Sequence, residues 1–272
     1  MYFDREEMDR FGWFISDSSV RSNLDWNRFV EIQIPIPFSD GNPDLDKQRE
    51  MVDVWRGLRE MKEENERIAE PLESLCRSYL QDLKYKYLLQ AIGPYIEPCD
   101  EKNGDLMYDD NAVRGLATSK QIITTKANLD GVSLTSYKLL KSKEFAFVAD
   151  TSRRGEKMSL GFNQDGDTYI VSSISTVFKI KDESELLPDY LYLWFCRSEF
   201  DRYARFNSWG SAREAFSYDE MTRVEIPIPP IEIQQAIVDI YRCANESRKI
   251  AAEANVLSTT ICPALMQKVI NG

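Results

Sequence analysis

Histidine is missing from all 272 residues. Its absence removes Ser-His and Cys-His nucleophile systems, His-ligated zinc and the commonest general base. Cysteine is sparse, and Cys76, Cys99, Cys196, Cys243 and Cys262 never fall at C-x-x-C spacing. They read as buried thiols rather than metal ligands or bridges. No P-loop, no G-x-G-x-x-G and no H-E-x-x-H occurs. No apolar run approaches the ~18 residues of a membrane span. Asp4, Glu6 and Glu7 stand where a signal peptide would need a basic start and an apolar stretch. The expected location is therefore the cytoplasm, with no membrane partner. Carboxylates are plentiful but scattered, as on a solvated acidic surface. Independent catalysis, a bound metal and a bound cofactor are not expected.

The net charge of −11 argues against a simple nucleic-acid binder. Its distribution says something else. Residues 111–163 hold nine basic side chains (Arg114, Lys120, Lys126, Lys138, Lys141, Lys143, Arg153, Arg154, Lys157) against four acidic ones (Asp130, Glu144, Asp150, Glu156). One segment is thus basic within an acidic chain.

The chain also repeats itself. Residues 1–38 align without a gap on 193–230 at an offset of 192, with 13 of 38 pairs identical, among them Phe3/Phe195, Asp9/Asp201, Phe14/Phe206, Ser16/Ser208 and Arg21/Arg213. Both copies end in Ile-Pro-Ile-Pro, at Ile34–Pro37 and Ile226–Pro229. Alternating proline removes backbone donors and favours an extended segment, suited to fixing the angle between a domain and the helix that follows. A period this long indicates duplication of a domain plus helix, with the front of the first copy missing.

Residues 44–85 carry a heptad seam, Met51, Leu58, Asn65, Leu72 and Tyr79 with Trp55, Lys62, Ala69, Cys76 and Leu83, and so predict one long helix. Pro71 inside it predicts a kink or break. A second helix is expected over 231–270, offset by 186, because Phe38–Pro43 is an insert after the first Ile-Pro-Ile-Pro. Its seam is small-residue-rich: Ile237, Ala244, Ala251, Ser258 and Leu265 with Tyr241, Arg248, Asn255, Cys262 and Val269. Large against small suits close pairing of the two as an antiparallel coiled coil. Between them, Ile122–Thr125, Phe145–Val148, Tyr169–Val171 and Thr176–Ile180 read as strands. Gly104, Gly115, Gly131, Gly155, Gly161 and Gly166 read as turns, and 187–206 as a helix. The fold class is α+β: one mixed α/β domain (86–230) between helices 44–85 and 231–270, preceded by a domain remnant, 1–38.

Several phrases carry a family resemblance: VRGLATSKQIITT at 113–125, NLDGVSLTSYKLL at 128–140, EFAFVAD followed by SRRGEKMSLG at 144–161, YIVSSISTVFKI at 169–180, and SWGSAREAFSYDEMTRVEIPIPPIEIQQAIVDIY at 208–241. With this layout they resemble the DNA-specificity (S) subunit of type I restriction–modification enzymes. A typical member has two target-recognition domains held apart by paired helices, reads the two halves of a split duplex sequence and performs no chemistry. The resemblance implies double-stranded DNA and methyltransferase (M) subunits as partners, and restriction (R) subunits indirectly. S-adenosylmethionine and ATP would belong to those partners. The single complete reader suggests a half-length or truncated form and a possible homodimer.

Within that resemblance, Lys120, Lys126, Lys138, Arg153, Arg154 and Lys157 are expected to meet phosphates, with one or two reaching base edges. Solvated solubility lysines are the plainer alternative. Thr118, Ser119, Gln121 and Thr125 offer hydrogen bonds to DNA or simply turn chemistry. Arg213 recurs as Arg21, so it suits phosphate binding or loop structure better than base reading. A different class of function stays open: an interaction protein that occupies methyltransferase subunits through its helices, as a decoy or rearrangement product.

Overall fold

The computed structural model describes residue 3 and residues 5–16, 23–150, 157–210 and 214–271, with backbone alone at 262, 263 and 265–271. Two compact units are present: Met1–Ser74 with Arg242–Gly272, and Leu75–Tyr241. Two helices are shared between them, α3 (Leu45–Lys86) and α7 (Ile231–Asn271).

In the first unit, α1 (Glu6–Ile15) and α2 (Trp26–Val30) precede a hairpin of β1 (Phe38–Ser39) and β2 (Asn42–Pro43). The hairpin is the six-residue insert after the first Ile-Pro-Ile-Pro. Its turn, Asp40-Gly41, has both residues at positive φ, 51° and 81°, the geometry that Asp-Gly supplies for a two-residue β-turn. Phe29 stacks on both Phe3 and Trp26 at 5.6 Å. Of the amphipathic start, Met8 is buried, while Phe11, Trp13 and Phe14 are exposed.

α3 and α7 pack together as an antiparallel pair. In the first unit Arg248 makes a two-pronged ion pair with Glu73, both distances 2.6 Å, and Ala69, Ala244, Ala251 and Ala254 are buried. In the second unit Cys76, Leu80 and Leu83 share a core with Ile237 and Val238. Along α3 the expected seam is the less exposed face from Met51 to Cys76, but Leu80 replaces Tyr79, which is exposed. On α7, Ala254 replaces Asn255. Both corrections exchange a polar-tipped residue for an apolar neighbour one position away. Nor does Pro71 break α3, which is helical through it. Proline deletes one intrahelical donor, and a long helix anchored on both sides of it tolerates that loss. The buried-thiol reading fits Cys76, but Cys99 is half-buried and Cys243 lies exposed on the outer side of α7.

The second unit is built on the antiparallel sheet β4-β11-β8-β9: β4 (Ile96–Cys99), β11 (Ser175–Ile180), β8 (Phe145–Val148) and β9 (Leu160–Phe162). β8 is buried at all four positions, so it reads as an apolar run without alternation. Phe145 stacks on Phe162 at 4.5 Å and on Phe178 at 5.0 Å, joining three strands through one ring. Three two-stranded pairs surround the sheet: β3 (Leu89–Ala91) with β12 (Glu225–Pro227), β5 (Arg114–Leu116) with β6 (Ile122–Thr124), and β7 (Lys138–Leu140) with β10 (Tyr169–Val171). Gly115 and Gly161, expected in turns, lie inside β5 and β9. At Gly161 the missing side chain is what lets β9 meet the β5–β6 hairpin: a Cβ would stand 2.7 Å from Ile122 Cγ1.

The helix expected over 187–206 is two, α4 (Pro188–Phe195) and α5 (Ser198–Phe206), separated at Arg197, whose backbone is extended. The division follows burial. α4 is buried at Pro188 and at every residue from Tyr190 to Phe195, whereas α5 buries one face only. A short helix, α6 (Tyr218–Thr222), then leads into β12 and α7. Among the described residues no helix is long and apolar enough to cross a membrane.

Candidate nucleic-acid interface

The β8–β9 hairpin opens its loop at one end of the sheet. There Val148 N–H donates to Ser159 O at 3.0 Å, and Phe216 N–H donates to Ala149 O at 2.8 Å. Asp150 and Trp209 both bridge to Ala215. The segment after α5 is thereby tied to the end of β8. Lys157 is exposed at this edge, and so are Trp209 (68%) and Phe206 (80%). Exposed aromatics beside cations are the surface that base and sugar faces stack upon.

The β5–β6 turn joins the same edge from the side. Ser119 and Gln121 are exposed there and Thr118 is half-buried. Lys120 between them is not available to DNA: it is 3% exposed. Its Nζ donates to Asp201 and, at 2.7 Å, to the Met158 carbonyl, while its own carbonyl accepts from the Tyr192 hydroxyl at 2.9 Å. Burial lowers the Lys120 pKa below the ordinary lysine value, and the Asp201 carboxylate opposes that shift. The expectation that Lys120 meets a phosphate is therefore corrected. A four-carbon stem folded inward to a buried carboxylate cannot also reach solvent.

The other expected residues divide. Lys126 is exposed beyond the far end of β6, near half-buried Thr125, whose hydroxyl accepts from Ala127 N–H at 3.2 Å. Lys138 opens β7 away from this edge and is paired with Asp100 at 2.8 Å, its side chain mostly covered. It belongs to an ion-pair face that also holds Lys141–Glu101 at 2.6 Å, which accounts for part of the segment's excess basic charge. Arg153, Arg154 and Arg213 lie outside the described residues. The residues described on either side of them, Asp150 and Lys157, Gly210 and Glu214, belong to the β8–β9 end. Sequence reasoning missed Asp201 and Phe206 as residues of this edge. The signal was present in the repeat, as Asp9/Asp201 and Phe14/Phe206.

At another face of this unit Trp194 lies between two cations, Lys84 Nζ at 5.6 Å and Arg197 at 4.8 Å from its ring. Arg197 also bonds Gln81 at 2.9 Å and Glu199 at 2.6 Å, and its guanidinium holds the Glu199 carboxyl down at about 2. This cluster joins the end of α3 to the start of α5.

Residues 84–242, from the last turn of α3 to the early turns of α7, match the family model described as type I restriction modification DNA specificity domain. The chain belongs to this family. DNA recognition in a type I restriction–modification system is thus its role, and the β8–β9 end lies within the matched specificity domain. No curated protein matches the chain. Among solved structures, the S subunit of the type I system from M. genitalium matches with a TM-score of 0.54 and 12% identity, over 94% of this chain and 68% of that one. The HsdS subunit from Thermoanaerobacter tengcongensis has a TM-score of 0.42 and 13% identity, over 85% of this chain and 60% of that one. A chain from work on complex assembly and conformational transition of the type I system has 0.39 and 14%, over 84% and 60%. At such identities the likeness to the M. genitalium subunit is one of fold, and it extends over both long helices as well as the specificity domain.

Proposed function

We propose that the protein is the DNA-recognition subunit of a type I restriction–modification complex and reads duplex DNA through the β8–β9 loop end. The observation that carries this reading is the position of that end: exposed Lys157, Ser119 and Gln121 share it with exposed Phe206 and Trp209, inside the segment that matches the specificity domain. Lys157 and Lys126 meet phosphates, and polar groups of the β5–β6 turn meet base edges. The subunit performs no chemistry. The paired helices hold methyltransferase subunits, and through them restriction subunits, beside the target. S-adenosylmethionine and ATP bind those partners. A second copy of the chain would supply a second reader and a split, symmetric target.

The test is a footprint on duplex DNA with a co-expressed methyltransferase subunit, at low and moderate salt. The expected result is protection confined to particular sequences. Co-purification of the two proteins without methylation in any sequence context would instead mark a protein that occupies methyltransferases without reading DNA.

A further inference from the structure

DNA contact through Lys126 and Lys157 needs only exposed cations, yet directly beneath Lys157 the fold builds a clamp. Met158 is held from both sides. Its N–H donates to Asp201 Oδ1 at 3.0 Å, and its carbonyl accepts from Lys120 Nζ at 2.7 Å. Lys120 closes the ring by bonding the same Asp201 oxygen. The β5–β6 turn, the foot of β9, α4 (through Tyr192) and α5 meet at one buried ion pair.

Stability alone does not account for such a pair. Desolvation offsets most of the coulombic gain, and apolar residues of similar volume serve as well or better. Lys120 also sits at φ 67°, a left-handed backbone that suits glycine and strains lysine. What a leucine pair could not supply is direction: paired hydrogen bonds to the N–H and C=O of one residue hold the peptide groups on either side of it and so fix where that residue lies and how it is turned. The carboxylate is also part of the repeated unit, since Asp9 stands at the equivalent place on α1. It is therefore common to both copies and independent of any one target sequence.

Resting on the DNA reading proposed above, we infer that Lys120 and Asp201 are positioning residues for sequence discrimination: they fix the backbone at Met158, and with it Lys157 and the Ser119–Gln121 turn, without touching DNA. Phosphate attraction tolerates a displaced lysine because it acts over a Debye length of ~8 Å. Base reading does not, because hydrogen bonds fail within a few tenths of an ångström of their ~3 Å optimum.

The experiment compares the wild-type protein, Asp201→Asn, and the double variant Lys120→Met/Asp201→Leu, each with a co-expressed methyltransferase subunit. Each selects from a library of duplexes with randomised positions, and its salt-dependent affinity for the unselected library is measured in parallel. The double variant leaves no buried charge unpaired, and denaturant unfolding verifies that it stays folded. The expected result is unchanged affinity and salt slope on unselected DNA, with the preference for selected over unselected duplexes reduced about tenfold or more. Asp201→Asn, which keeps an acceptor for Met158 N–H, should fall between. A folded double variant that selects the same sequences as strongly as wild type overturns the positioning role alone. If the double variant unfolds, Asp201→Asn decides: an undiminished preference overturns the role. A wild type that enriches no sequence overturns the DNA reading, and the positioning role with it.

Discussion

Ser16 and Ser208, 192 positions apart, close the same hydrogen bond: each Oγ donates at 2.6 Å to the carbonyl four residues earlier, of Gly12 and of Ala204. The helices around them keep the same register. α1 begins at Glu6 and α5 at Ser198, α2 spans Trp26–Val30 and α6 Tyr218–Thr222, and α3 and α7 begin 186 apart, at Leu45 and Ile231. Even the caps correspond, with Asp25 accepting from Arg28 N–H and Ser217 from Glu220 N–H. The repeat is thus written in local hydrogen bonds that form whether or not a sheet stands beside them.

Phosphate contact by the exposed lysines makes a numerical expectation for DNA binding. Lys157→Ala and Lys126→Ala should each lower the slope of log affinity against log salt by about one. Lys138→Ala should leave it unchanged, because that ammonium is already neutralised by Asp100. Titration of a labelled duplex at several salt concentrations reads all three.

Close approach at Gly161 is an exacting fit. Gly161→Ala would place a methyl 2.7 Å from Ile122 Cγ1 and 3.0 Å from Leu116 Cδ2. The hairpin that carries Lys120 must then move, at a cost of about 1–3 kcal/mol. A lowered urea midpoint with an unchanged slope is the expected observation.

Gln234 is a buried amide that ties α7 to the segment before α4. Its Oε1 accepts from Leu187 N–H, and its Nε2 donates to the carbonyls of Glu185 and Pro229, all at 2.9 Å. Gln234→Leu strands three backbone groups and should cost about 2–4 kcal/mol in denaturant unfolding. Its repeat counterpart Gln48 is half-buried, and Gln48→Leu should cost less than about 1 kcal/mol.

The Arg197–Glu199 pair sets an acid limit. Glu199 titrates at about 2 in the folded protein against an ordinary 4.5, so the pair's contribution is whole above 4.5 and fades as pH falls from 4.5 to 2. The gap in urea midpoint between wild type and Glu199→Gln should be open at neutral pH and close through that window. Because the Glu199 side chain is 42% exposed, solvent keeps the gap small.

Elements with a long period were legible from composition and spacing. The two scaffold helices show in their heptads, and β6, β8, β10 and β11 in their β-branched and aromatic runs. β3, β5, β7, β9 and β12 were not: each is three residues long, too short for alternation to show, and lacks the consecutive β-branched or aromatic residues that mark the equally short β6 and β10. The candidate site was legible as a region and misread at Lys120. In the run Thr-Ser-Lys-Gln nothing local distinguishes a solvated lysine from a buried one, and its partner lies 81 residues away. Lys138 misled for the same reason, its neutralising Asp100 standing 38 residues away, just past the end of β4.

The ladder of β3 and β12 has a topological consequence. Leu89 and Pro227 face each other across it, so the chain enters and leaves the specificity domain at points roughly 5 Å apart. The 137 intervening residues form a closed loop hung from a neck, and the path from α3 to α7 is no longer with them than without. Excision at the neck, with a linker of about 2–5 residues, would leave a plain helical hairpin.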